Sequence, residues 1–158
     1  MSFADELNKE TDNVTKALHE TVKVSAIGLF GDVIYRSPVG NTELWDTKYP
    51  PKDYVGGRFR SNWFLTFTSP SVKKTNSTER ADATKEQIEA EMATAIATQR
   101  GAGNETKYIL TNNLDYAEAI ESGHSKQRRE GVVAPAISTA ERKLPKIEAA
   151  ANKKFGVS

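Results

Sequence analysis

The feature that most constrains the fold is an opening segment, residues 3–34, that contains no proline. Gly28 and Gly31 are the only breakers in it, and each costs roughly 1 kcal/mol relative to alanine in a helix. Residues three and four apart share one helical face, so the segment predicts a long amphipathic helix. The two glycines either weaken its last turns or allow close packing. The apolar stripe consists of Val14, Leu18, Val22, Ile27, Phe30 and Ile34.

Composition narrows the class of protein. The chain has 158 residues, so we expect a single domain over residues 1–158. Its formal net charge of +1 gives no field that attracts nucleic acid or anionic lipid. Cysteine is absent, which excludes disulfides, thiolate metal sites and a cysteine nucleophile. No window approaches the roughly 20 apolar residues of a membrane span, so we expect a soluble protein made in the cytoplasm.

A long loop is predicted at residues 36–57, where prolines and glycines are too frequent for a regular element. It is longer than a connection inside a compact domain needs, which marks it as a functional candidate. Its aromatic side chains, Trp45, Tyr49 and Tyr54, either pin the loop to the core or reach a partner.

The central part of the chain predicts a strand, a helix and a second strand. The strand covers residues 59–68, and the helix covers residues 79–98, with Ser77 or Thr78 as its cap. Glycines at 101–103 end that helix, and β-prone residues at 108–110 form the next strand.

A short helix and a closing helix complete the pattern. Asp115 or Asn113 is expected to cap the short helix, whose Tyr116 and Ile120 pack inward. Gly123 is expected to end it in the left-handed conformation.

The closing helix is expected to have Pro135 at its first position and a kink or restart at Pro145. The predicted class is α+β, with long N-terminal and C-terminal helices packed on a small, mostly antiparallel sheet.

Neither histidine lies in a pattern typical of a metal site or a catalytic site. His19 lacks further metal ligands at helical spacing, because Val22 and Lys23 occupy those positions. His124 and Ser125 are adjacent, and adjacent side chains point apart, whereas an activated serine needs an oriented base. We therefore expect no catalytic residue, no cofactor and no metal. The alternative is a small hydrolase that uses His124 with Ser125 or a nearby glutamate.

Several residues are candidates for a protein interface. Arg58 and Arg60 stand beside large aromatics, a mixture enriched in interface centres, although either arginine could instead meet an internal carboxylate. A basic cluster follows the short helix, and we expect it to be solvated or to pair with another subunit. The full candidate set is Trp45, Tyr49, Tyr54, Arg58, Arg60, Glu121, His124, Lys126, Gln127, Arg128 and Arg129.

Three segments, taken in order, carry a resemblance. They are Arg36-Ser37-Pro38-Val39-Gly40, then Gly57-Arg58-Phe59-Arg60-Ser61-Asn62-Trp63, then residues 110–127 from Leu110-Thr111-Asn112-Asn113-Leu114 to Gly123-His124-Ser125-Lys126-Gln127. Together they resemble the tail-completion, neck and minor tail proteins of tailed bacteriophages. The resemblance extends to residues 133–136. Two departures are the insertion of residues 41–56 and the sequence Arg128-Arg129-Glu130.

This resemblance implies a function and partners. It implies a structural virion protein, not an enzyme, in the ring at the head-to-tail junction, with a neck, tail-completion or tail-terminator role. The ring would be a homo-oligomer, a hexamer by resemblance. Its partners would be head-closure or connector proteins and the tail tube or terminator protein. No membrane is implied, and nucleic acid would be met only as DNA passing through the lumen.

Overall fold

The computed structural model describes residues 1–44, 51–99 and 107–158. Helix α1 spans Phe3–Arg36, which confirms the long opening helix. The hydroxyl of Ser2 accepts the backbone N–H of Asp5, and the Asp5 carboxylate accepts the backbone N–H of Ser2, a capping box that the sequence pattern did not predict. In the described residues no helix is long and apolar enough to cross a membrane.

The predicted strand at residues 59–68 is wrong over its first part. Helix α2 occupies Arg58–Ser61, and strand β1 is confined to Trp63–Thr66. Gly57 has φ +107°, which turns the chain into α2, and alternating apolar residues cannot show such a turn. Strand β2, Ile109–Asn112, pairs with β1 in antiparallel register, Trp63 opposite Asn112. Asn112 is therefore the last residue of the strand, which extends beyond the predicted residues 108–110.

Helix α3 spans Lys85–Thr98 and begins later than predicted. The hydroxyl of Thr84 accepts the N–H of Gln87, and the Gln87 side chain accepts the N–H of Thr84, so the cap is Thr84 and neither Ser77 nor Thr78. Arg80 lies before the helix because its backbone N–H donates to the hydroxyl of Ser61. The predicted glycine stop at 101–103 lies outside the described residues.

Helix α4, Ala117–Glu121, has no side-chain cap. The predicted caps are wrong, because the Asp115 carboxylate pairs with Lys74 and the Asn113 amide donates to the carbonyls of Ser71 and Lys73.

Helix α5, Val133–Phe155, starts two residues before Pro135, so the predicted first position of that proline is also wrong. The predicted restart at Pro145 is wrong as well, because α5 continues through it.

The core lies where the C-terminal half of α1 meets the other elements, and α1 packs against both α5 and α3. Gly31 allows the approach of α3, since a Cβ there would lie 2.6 Å from Cγ of Glu89. The α+β class is confirmed, with long helices at both ends and one two-stranded antiparallel sheet. The buried cluster consists of Val33, Ile34, Phe59, Trp63, Ile88, Met92, Leu114, Val132 and Ala136.

A buried serine joins the end of α1 to the start of β1. Ser37 is fully buried, and its hydroxyl accepts a hydrogen bond of 2.8 Å from the indole N–H of Trp63. The same hydroxyl donates to the carbonyl of Val33 at 2.8 Å. The serine thus satisfies the indole N–H in a region that is otherwise apolar.

We expect Ser37→Ala to lower the free energy of unfolding by about 1–3 kcal/mol, because the buried Trp63 N–H would lose its acceptor. Chemical denaturation followed by tryptophan fluorescence measures the change. Ser69→Ala is the control, since Ser69 is exposed, and it should change stability by less than about 0.5 kcal/mol. Equal stabilities of the two variants would contradict this role of Ser37.

Candidate functional site

An open cleft of about 720 Å³ lies between the segment that follows α1 and the corner that follows α4. Phe59 and Ile120 belong to its apolar part and also pack in or against the core. Tyr116 lines it too, with its ring 6.0 Å from that of Phe59. Tyr116 is 41% exposed, so the predicted inward packing holds for Ile120 and only in part for Tyr116.

The rim of the cleft is polar and carries positive charge. Arg58 and Lys126 supply this charge, His124 lies beside them, and no acidic side chain lies among the described lining residues of the cleft. Tyr54 also lines it and lies directly over Gly40, where a Cβ would come within 2.0 Å of the tyrosine hydroxyl. The predicted aromatic residues Trp45 and Tyr49 lie outside the described residues.

Hydrogen bonds join the walls of the cleft. The Gln127 side-chain amide donates to the carbonyl of Val39 at 2.8 Å, and Arg128 donates to the carbonyl of Arg36. The Asn112 amide donates to the carbonyl of Phe59 at 3.0 Å. Three segments that are far apart in sequence are therefore tied into one unit.

The two predicted arginines of α2 bind carbonyl groups. Arg58 donates to the carbonyl of Thr75 at 2.9 Å. Arg60 donates to the carbonyls of Ser37, Ala81 and Tyr35, at 2.9–3.2 Å. Burial lowers the pKa of the Arg60 guanidinium, an effect that the nearby Tyr35 opposes. Within the described part of the chain neither arginine pairs with a carboxylate, so the internal carboxylate partner that the sequence allowed is not found there.

Glu121 caps α5, a role that the sequence did not reveal. Its carboxylate accepts the backbone N–H groups of Val132, Val133 and Ala134 at 2.8, 2.9 and 3.1 Å. These are N–H groups at a helix start, which have no partner inside the helix. Partial burial acts to raise the pKa of this carboxyl, but the three backbone donors outweigh it and lower the pKa.

His124 and Ser125 both line the rim of the cleft. His124 is exposed, and the hydroxyl of Ser125 accepts the backbone N–H of Gln127 at 3.2 Å. In the described structure the His124 ring makes no hydrogen bond to that hydroxyl. Arg129 is exposed and lies outside the cleft lining.

The cleft has features of a binding surface for a protein segment: an apolar part, a cationic rim and backbone positions held by side-chain amides. Among the residues that the structure describes, no three His, Cys, Asp or Glu side chains are placed to hold a metal ion. Comparisons with protein-family models, curated proteins and solved structures returned no match.

Asn62 is a structural residue of this site that sequence reasoning missed. It is fully buried, its amide donates to the carbonyls of Arg58 and Thr75, and its oxygen accepts the N–H of Thr75. The polar residues 73–80 are thereby tied to α2 through Thr75. An asparagine inside a predicted strand carries no signal of such a partner.

We expect Gly123→Val to lower the free energy of unfolding more than Gly156→Val. Gly123 has φ +88°, as predicted, and a Cβ there would lie 2.4 Å from the carbonyl oxygen of Arg129. Gly156 has φ +68°, but a Cβ there would meet nothing within 4 Å. Both variants lose about 1–2 kcal/mol from the left-handed conformation, and only Gly123→Val adds a backbone clash. Thermal denaturation of both variants checks this, and equal losses would contradict it.

We expect Glu121→Ala to lower the free energy of unfolding by about 1–2 kcal/mol at neutral pH. Because its pKa is lowered in the folded protein, the contribution is complete above the ordinary glutamate value of about 4.3 and is lost as the pH falls through the lower folded value. Denaturation of wild type and variant at several pH values measures this. Glu118→Ala, an exposed position on the same helix, is the control. A difference that persists at the lowest pH would contradict the role.

Proposed function

We propose that the protein is a structural virion protein of a tailed bacteriophage. It would form part of the ring that joins the capsid connector to the tail, in a neck, tail-completion or tail-terminator position. The observation that carries the proposal is the convergence of the three resembling segments, 36–40, 57–63 and 110–127, on one cleft.

Convergence supports the proposal because short segments that match by chance have no reason to meet in space. Here the third segment is bonded to both of the others, through Gln127 to Val39 and through Asn112 to Phe59. The first and second are bonded through Ser37 and Trp63 in the core. The residues that carry the resemblance thus maintain one surface.

The chemistry of that surface suits a protein partner. The cleft is open, its rim carries Arg58, His124 and Lys126, and its apolar part includes Phe59 and Ile120. An acidic segment with one or two apolar side chains would complement it. In the proposed ring this segment belongs to a head-closure or connector protein, or to the tail tube or terminator protein. DNA would pass only through the lumen, and the ring would contain six copies.

We expect Lys126→Glu to reduce the yield of infectious particles at least tenfold in a phage that depends on the plasmid-encoded chain. The substitution reverses charge on the cleft rim, where the partner segment would bind. Arg129→Glu is the matched control, because Arg129 is exposed on the same corner but does not line the cleft. Plaque counts and electron microscopy of heads without tails give the measurement.

Two results would contradict the proposal. One is the absence of the chain from purified particles by mass spectrometry. The other is a full yield with Lys126→Glu. His124→Ala separates a ring protein from a hydrolase, since a hydrolase would lose turnover while assembly stays intact.

A further inference from the structure

The first turns of α1 extend beyond the part of this helix against which α5 packs. Near the end of α5, Lys154 binds Glu20 at 2.9 Å, and residues 156–158 lie near Glu10, Asn13 and Val14. Residues 3–16, here called the arm, are all exposed except the half-buried Asn13. The capping box at Ser2 keeps the arm helical to its tip. The arm is therefore a mostly exposed helix, and only its residues 10–14 lie near the C-terminal residues.

The arm carries an apolar stripe with acidic residues beside it. Phe3, Leu7 and Val14 are 79%, 54% and 51% exposed, and their spacing of four and seven residues places them on one face. Glu6 and Glu10 follow Phe3 and Leu7 by three residues, so they lie beside this stripe.

The basic residues of the arm lie elsewhere. Lys9 and Lys16 follow Leu7 and Val14 by two residues, which places them on the opposite face. Lys16 also pairs there with Asp12, at 2.7 Å. The face that carries the apolar stripe is therefore acidic.

A groove between α1 and α5 is mainly basic, which is opposite to the charge of this face of the arm. This α1/α5 groove has a volume of about 420 Å³. Its apolar lining is Val24, Ile147, Ala150 and Ala151, and its charged lining is Lys143, Lys146, Lys154 and Glu20. Lys154 already pairs with Glu20, whereas Lys143 and Lys146 have no ion pair within the described part of the chain.

We propose that the arm of one copy of the chain binds in the α1/α5 groove of a second copy. The apolar stripe would cover the apolar lining of the groove, and Glu6 and Glu10 would face Lys143 and Lys146. The lengths match, since the 14-residue arm is about 20 Å long and the stretch from Lys143 to Lys154 spans about 17 Å.

The contact must be intermolecular. The arm and one wall of the groove belong to the same continuous helix, and about 20 Å of that helix separates Leu7 from Glu20. An arm that binds a different surface on the next copy makes a head-to-tail interface, which closes into a ring or continues as a filament. The inference rests on the proposed function for its biological setting, where this interface would join neighbouring protomers of the ring.

Cysteine crosslinking tests the contact, because the natural chain has no cysteine. Leu7→Cys combined with Ala150→Cys should give a ladder of dimers, trimers and larger species when the purified full-length chain is oxidised. Intramolecular bonding is excluded, since a disulfide needs Cα atoms within about 7 Å. The control pairs Ala150→Cys with Val72→Cys, because Val72 is 93% exposed and lies outside both surfaces. The control should give at least tenfold less crosslinked product.

Three results would overturn the proposed contact. The first is no ladder above the level of the control. The second is a product that stops at dimers, and the third is equal dimer formation by Leu7→Cys alone, which would show that two arms bind each other. Circular dichroism on every variant establishes that it is folded before crosslinking is compared.

Reversing the charges of the arm or the groove, in the variant that carries Leu7→Cys and Ala150→Cys, distinguishes a specific contact from a chance one. Lys143→Glu with Lys146→Glu should reduce the ladder at least tenfold, as should Glu6→Lys with Glu10→Lys. Combining all four substitutions should restore it, because the opposite charges would face each other again. Failure of this rescue would overturn the assigned orientation. Absence of the chain from particles, with the ladder intact, would instead contradict only the proposed function.

Discussion

The hydrogen bond between the buried hydroxyl of Ser37 and the indole of Trp63 is the contact on which the rest of the structure depends. It lies where α1 ends, so it determines the direction in which the chain leaves the helix. The carbonyl of the same serine receives Arg60, whose other donors reach Tyr35 and Ala81. Ser37 therefore connects α1, α2 and β1, and Arg60 extends this connection to the turn before α3.

The cleft owes its shape to polar side chains that bind backbone. Asn62, Asn112 and Gln127 each donate to a carbonyl of a distant segment, and Glu121 receives three N–H groups at the start of α5. Such bonds replace the ladder of a larger sheet, because only four residue pairs connect β1 and β2. The polar rim of the cleft is positioned by these contacts between neighbouring segments.

The two halves of α1 differ in burial. The C-terminal half of α1 is buried against α3 and α5, whereas its first turns carry exposed Phe3 and Leu7. Large apolar side chains gain free energy only when they leave water, so such an arm is more stable with a partner than without one. In the proposed contact the basic groove beside α5 of a second copy would be that partner. In the proposed assembly the cleft, at the other end of α1, would bind a different protein.

The sequence by itself determined the long helices, because apolar residues spaced three and four positions apart are a local property. Tertiary contacts further stabilise these helices. It also indicated the left-handed Gly123, since a glycine after a short apolar helix is a common stop. Tertiary structure decided the rest: the helix α2 after Gly57 in place of the first part of the predicted strand, the choice of Thr84 as the cap of α3, and the roles of Asn62 and Glu121. The roles of Asn62 and Glu121 depend on partners in other segments, and Thr84 became the cap because Arg80 is bonded to Ser61 before the helix begins. No local pattern shows which segments will meet.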